Sequence, residues 1–121
     1  ADALTRRALN RLNELKREEK LKKPFPTMPD LRETDNVKQI RNRQKISAEG
    51  NRMRNCIGGY AEYCADGEAF MFSVQVGNQR SNVQVDAQRQ VVQHYGKYNQ
   101  TPHADCVSAL REFCTLNNVT M

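Results

Sequence analysis

Tryptophan is absent from the 121 residues, and only 38% of them are apolar. The core must therefore be built from Leu, Val, Ile, Phe, Met and Cys, and only ordinary stability is expected. Long apolar runs are also missing. No stretch approaches the roughly 20 apolar residues that cross a bilayer, and residues 1–23 are charged throughout, without a signal-peptide apolar run. The composition points to a soluble chain with no membrane partner, and a start at Ala1 suggests a fragment or processed chain.

Close metal-ligand spacing is lacking too. Cys56, Cys64, Cys106 and Cys114 form two pairs, each spaced by eight residues, with no CxxC. Zinc would need ligands from remote segments, with His94 and His103 the histidines on hand. Asp66, Glu68, Asp86 and Asp105 sit at separate loop ends, which disfavours a metal-dependent nuclease. No metal and no cofactor is expected. Eight residues make a little over two helical turns, so each cysteine pair is expected on one helix face, as small core residues where two helices meet. A disulfide between those helices is the alternative in an oxidising compartment.

What is present in excess is positive charge, and it is unevenly placed. Residues 1–55 hold 15 Lys and Arg against 8 Asp and Glu, a net of +7, whereas residues 56–121 hold 4 against 6, a net of −2, giving +5 overall. A basic half of this kind suits a polyanion, because each cation that neutralises a phosphate releases counterions. It also suits an acidic inhibitor protein, and a solvated basic helix face is the plainer reading.

A chain of this length has room for one domain. Leu4, Ala8, Leu9, Leu12 and Leu15 recur at helical steps, predicting an amphipathic helix over 3–23 that Pro24 ends. Pro24, Pro26 and Pro29 predict a rigid connector. Residues 1–29 are thus read as a basic helix and Pro-rich connector, and 30–121 as a single α+β domain. Val37, Ile40 and Ile46 predict a second helix, capped by Thr34 or Asp35 and stopped at Gly50. A third is expected over 53–65, where Gly58-Gly59 implies close packing against the sheet. Phe70, Phe72, Val74 and Val76 predict a strand, Gly77 to Arg80 a hairpin turn, 82–86 the return and 90–95 a third strand. Thr101-Pro102 precedes a C-terminal helix marked by Val107, Leu110, Phe113 and Cys114. The expected fold is α+β, with N-terminal basic helices, a three-stranded antiparallel meander covered by helices on one side, and a C-terminal helix.

The segment Met53-Arg54-Asn55-Cys56-Ile57-Gly58-Gly59-Tyr60 places a thiol, two glycines and an aromatic between the basic run and the strands. With Glu49-Gly50 before it, it is followed by Gly67, the Phe70–Val76 strand, Gln93-His94-Tyr95-Gly96-Lys97-Tyr98-Asn99, Pro102 and Ala109-Leu110-Arg111. In order and spacing these pieces resemble the PcfJ-like family, known from conjugative plasmids and other mobile or phage-associated settings, over about residues 46–114. The family pattern often has His where this chain has Asn55. The resemblance implies the fold unit more than a chemistry, and a cytoplasmic site of action, reached in one case by delivery from a larger secreted or mobile-element protein.

The specific functional expectation is RNA binding with metal-independent endoribonuclease activity of a toxin or mobile-element effector type. Such cleavage needs a base near the 2′-hydroxyl, an acid for the leaving oxygen and cations for the phosphate. His94, Tyr95, Lys97 and Tyr98 supply those types beside a glycine. Arg41, Arg43, Lys45, Arg52, Arg54 and Asn99 are the expected nucleic-acid contacts. Cys56 is the candidate nucleophile, activated by His94 and by a helix N-terminus, against the reading of a buried thiol. The alternative function is a non-catalytic nucleic-acid-binding or protein-interaction module using the basic half.

Overall fold

The computed structural model describes residues 2–121; residue 1, which opens the expected N-terminal unit, lies outside them. Asp2 caps the first helix, α1 (Ala3–Lys22), by accepting the Thr5 N–H at 2.8 Å. Lys20 and Lys22 sit at the negative end of its dipole, and the prolines that follow stop it. The packed body begins in the connector. Phe25 and Met28 are buried, the Phe25 N–H donates to Arg41 O at 2.6 Å, and Gln39 Nε2 donates to Pro26 O at 3.0 Å.

The second helix does not start where the sequence suggested. Val37–Gln39 is a strand, β1, and the helix α2 runs over Arg43–Met53 behind an Asn42 cap. Thr34 does accept the N–H three residues on, as a helix cap would, at 3.0 Å from Val37. Its own N–H, however, returns to Val37 O at 3.2 Å, closing a turn instead. Val37 and Gln39 are buried and Lys38 is exposed, the period of two that a strand imposes. Gly50 does not stop α2 either. Arg54 does, at φ 52°, with its N–H on Gly50 O.

The expected third helix is broken in two. A 3₁₀ turn covers Cys56–Tyr60, and a short helix α3 covers Ala61–Ala65. The glycines explain the break. A Cβ on Gly50 would lie 3.1 Å from Gly58 N, so α2 and the 3₁₀ turn meet backbone to backbone. The close approach implied by Gly58 is therefore to α2 rather than to the sheet, and Gly59 faces open space.

The expected meander is present as β2 (Ala69–Val76), β3 (Gln79–Asp86) and β4 (Val91–Tyr95). The first hairpin turn is tighter than expected, with β3 already paired from Gln79 to Val76. β1 adds a fourth strand, in the order β1-β2-β3-β4, antiparallel throughout. Helices cover both faces rather than one. The last helix, α4 (Ala104–Asn117), packs Cys106, Leu110 and Phe113 against Phe70, Phe72, Val74, Val83 and Val85, and Phe72 and Phe113 stack with ring centroids 5.1 Å apart. On the other face, α2, the 3₁₀ turn and α3 bury Ile46, Ile57 and Cys64 against Ala69 and Met71. Both faces need cover because β2 is apolar and buried at four successive positions, Ala69 to Phe72. The cysteine pairs accordingly do not meet between helices. Cys64 lies on one side of the sheet, Cys106 and Cys114 on the other, and Cys56 is exposed; all four are free thiols.

No described helix is long and apolar enough to cross a membrane. The backbone contact at Gly50 gives a first prediction. Gly50→Ala is expected to lower unfolding stability by about 1 kcal/mol or more, outweighing its helix-propensity gain, while Gly59→Ala changes it by less than about 0.5 kcal/mol, both read by urea denaturation.

Candidate nucleic-acid interface

The candidate site is held by a buried polar chain. Glu49 on α2 receives both arms of Arg80, Nε and Nη2, at 2.7 Å each, a forked pairing that fixes the guanidinium in plane. Asn82 Nδ2 donates to the same carboxylate at 2.7 Å, and Asn55 Nδ2 donates to Asn82 Oδ1 at 2.8 Å. Asn55 Oδ1 in turn accepts the Ile57 N–H at 3.2 Å, starting the 3₁₀ turn. Burial alone would push the Glu49 carboxyl up. The hydrogen bonds from Arg80 and Asn82, with the Arg80 and Arg52 charges, outweigh that and hold it below the usual carboxylate range. Arg80 is thereby neutralised in place, and Arg52 one turn along α2 remains outward.

Arg52 opens onto a cleft of about 460 Å³ between the end of α2, the β2–β3 hairpin and the loop before α4. Lys97 and His103 line its other side, with Gln79 and Thr101 among its polar groups, and no Asp or Glu lines it. A second groove runs from Arg52 back along α2 past Lys45 to Lys38 on β1. The two share Arg52 and Arg80. The result is a continuous track of Lys38, Lys45, Arg52 and Lys97, in which Lys45 and Arg52 lie about 10 Å apart along α2 at 1.5 Å of rise per residue.

Of the residues singled out in the sequence, Lys45, Arg52 and Lys97 fall on this track. Arg41 and Arg43 do not. They sit at the far end of α2, where Arg41 bonds Glu33 at 2.7 Å and Arg43 pairs with Glu62 at 3.2 Å, lying 5.9 Å from the Phe25 ring centroid. Arg54 is exposed as the left-handed cap of α2.

His94 and Tyr95 are neighbours on β4 and so point to opposite faces of the sheet. His94 pairs with Val83 and Tyr95 with Asn82. His94 is half-buried on the α4 side, with Nε2 2.7 Å from Ser81 Oγ, and burial pushes its pKa down to about 4. It joins neither Lys97 nor Cys56. Tyr95 lines a small depression on the α2 side with Tyr60, Cys56 and Asn99. There the Cys56 thiol, exposed at the start of the 3₁₀ turn, contacts Asn99 Oδ1 at 3.8 Å. Tyr98 and Asn99 hold φ of 58° and 57° in succession, which projects Tyr98 into solvent, 61% exposed, with Lys97 Nζ 5.5 Å from its ring centroid.

Two residues lining these grooves were not among the expected contacts. Lys38 fell within the expected second helix. His103 was considered only as a histidine on hand for zinc. It caps α4 by accepting the Asp105 N–H on Nδ1 at 3.0 Å, which leaves Nε2 as the proton-bearing nitrogen of the neutral ring. Among the described residues, no group of three His, Cys, Asp or Glu is placed to hold a metal ion.

Two predictions follow from these burials. Glu49→Ala strands Arg80 and is expected to cost about 3 kcal/mol in urea denaturation, as breaking a buried pair does. For His94, the unfolded ring takes up a proton near pH 6.5 while the folded ring waits until about pH 4. Unfolding free energy should therefore fall as pH drops from 6.5 towards 4. His94→Gln, which keeps a partner for Ser81, should flatten that limb relative to the parent protein.

Searches of curated proteins and of solved structures return no match. A family model described as PcfJ-like protein matches residues 2–110. That span takes in α1, the connector, the whole sheet, both faces of the track and half of α4, a wider stretch than the motifs alone cover. The chain therefore belongs to the PcfJ-like family.

Proposed function

We propose that this protein binds single-stranded RNA along the Lys38–Lys45–Arg52–Lys97 track. The observation that carries the reading is the cleft between Arg52, Lys97 and His103, which is lined by cations and neutral donors and by no carboxylate. In a chain with 14 acidic residues, such a surface attracts anions and repels little. Tyr98, exposed beside Lys97, adds an aromatic face of the type on which an unpaired base stacks, and Arg52 and Lys97 reach phosphates on either side.

Metal-independent cleavage is a second reading, favoured by one specific placement. His103 and Lys97 line the same cleft as Arg52, so an imidazole, an ammonium and a guanidinium converge where an RNA phosphate would lie. His103 rather than His94 then serves as the acid or base, and Lys97 and Arg52 offset charge on the phosphate.

Both readings are tested with a fluorescein-labelled 12-mer oligouridylate in EDTA. By anisotropy, Arg52→Ala and Lys97→Ala should each weaken binding about 5-fold and lower the salt slope by about 0.7, while His94→Ala leaves affinity unchanged. Fragments that vanish with His103→Ala support cleavage, and intact oligonucleotide leaves the binding module. Absence of salt-sensitive binding would sink the RNA reading and turn the basic half towards an acidic protein partner.

A further inference from the structure

α1 carries a leucine stripe that nothing in the fold covers. Not one of its twenty residues is buried, and Leu4, Leu9, Leu12 and Leu15 are 78%, 54%, 47% and 40% exposed. At 3.6 residues per turn, Leu4, Ala8, Leu12 and Leu15 fall within an arc of about 80°. Scattered exposed leucines are ordinary, but a contiguous stripe over three turns marks a contact surface. The helix cannot fold back to cover the stripe itself. Its base is fixed by buried Phe25, by the Phe25 N–H on Arg41 O and by Gln39 on Pro26 O, with Pro24, Pro26 and Pro29 stiffening what lies between.

We propose that the occupant is α1 of a second copy of this chain, paired antiparallel about a two-fold axis passing near residues 9 and 10. The register follows from the sequence. With that axis, Leu4 of one copy meets Leu15 of the second and Ala8 meets Leu12, so a small residue faces a large one and the backbones can approach. The flanking charges also match. Arg7 lies on one flank of the stripe and comes beside Glu14 of the second copy, and by the two-fold the pairing occurs twice. A parallel pair would bring Arg7 and Arg11, which border the stripe, beside their own images, which is destabilising along a seam. The Lys20, Lys22 and Lys23 cluster lies beyond the overlap, so its repulsion across the seam is largely screened at physiological salt. Because the interface is isologous, it closes at two copies. A seam of about four turns is small, so dimers are expected at tens of micromolar protein rather than nanomolar.

Sedimentation equilibrium of the full chain tests this. A monomer–dimer equilibrium is expected, and Leu12→Glu should shift it to monomer while leaving the circular dichroism melt unchanged, since no residue of α1 is buried in its own chain and Leu12 is exposed. The register is tested by cross-linking in a Cys56→Ser background, where the remaining cysteines are buried. Mixing Leu4→Cys with Leu15→Cys protein should give a disulfide-linked heterodimer, and Leu4→Cys alone should give none. A protein that stays monomeric at several hundred micromolar overturns the proposal, as does an efficient Leu4–Leu4 cross-link or a dimer indifferent to Leu12→Glu. Loss of self-association with RNA binding intact refutes this inference alone, and the converse refutes only the RNA reading.

Discussion

The Glu49 carboxylate, gripped by Arg80 and Asn82, is the interaction on which the rest of the structure depends. It ties α2 to the middle of β3, and through Asn82 and Asn55 it also sets the first hydrogen bond of the 3₁₀ turn. A charge this deep is tolerable because it is paired and hydrogen-bonded: two guanidinium arms and an amide hold the carboxylate, and Gln75 Oε1 accepts from Arg80 Nη1 at 2.6 Å. No buried side-chain polar atom among the described residues lacks a hydrogen-bond partner. By consuming Arg80 inside, the network also decides which cations are left on the surface. The outward charge of the track is thus a by-product of how the core polar group was satisfied.

Legibility from the sequence followed the length of the periodic signal. α1, β2, β3 and α4 have many residues in phase and were readable. β1 has three, and the spacing of Val37 and Ile40 imitates a helix step; what makes it a strand is pairing with Val74 and Phe72, contacts more than thirty residues distant. The break at Gly58 depends on Gly50 being its neighbour in space, which no local pattern encodes. The opposite facing of His94 and Tyr95 was different in kind. It followed from strand parity once 90–95 was read as a strand, and it separates two residues that a linear reading had grouped. Arg52 and Lys97 were legible because they flank elements that were themselves legible. His103 was hidden because it is part of a helix cap, a role that sequence assigns more readily to Ser, Thr, Asp or Asn.

The turn at Lys97–Asn99 shows how local strain and surface chemistry are joined. Two successive non-glycine residues at positive φ are uncommon and costly, about 1 kcal/mol or more each. The turn is closed by the Gly96 N–H on Gln100 O at 2.7 Å and steadied by the contact between Cys56 and Asn99. The motif around Cys56 therefore bears on the track indirectly. Its glycine lets the 3₁₀ turn lie against α2, its asparagine joins the Glu49 network, and its thiol touches the turn that carries Lys97.

Asn117 adds a temporal dimension to this architecture. Its side-chain amide accepts the Arg32 N–H at 2.7 Å and donates to Arg32 O at 2.9 Å, stapling the connector to the end of α4 across 85 residues of chain. During synthesis from the N-terminus, Arg32 is made long before its partner exists. Until α4 leaves the ribosome, the Met28–Arg32 segment has neither that staple nor the Phe113 face beside it. The nascent chain must grow by a further 85 residues after Arg32 before that segment can lock, and a ribosome stalled before α4 would carry an exposed, half-formed sheet.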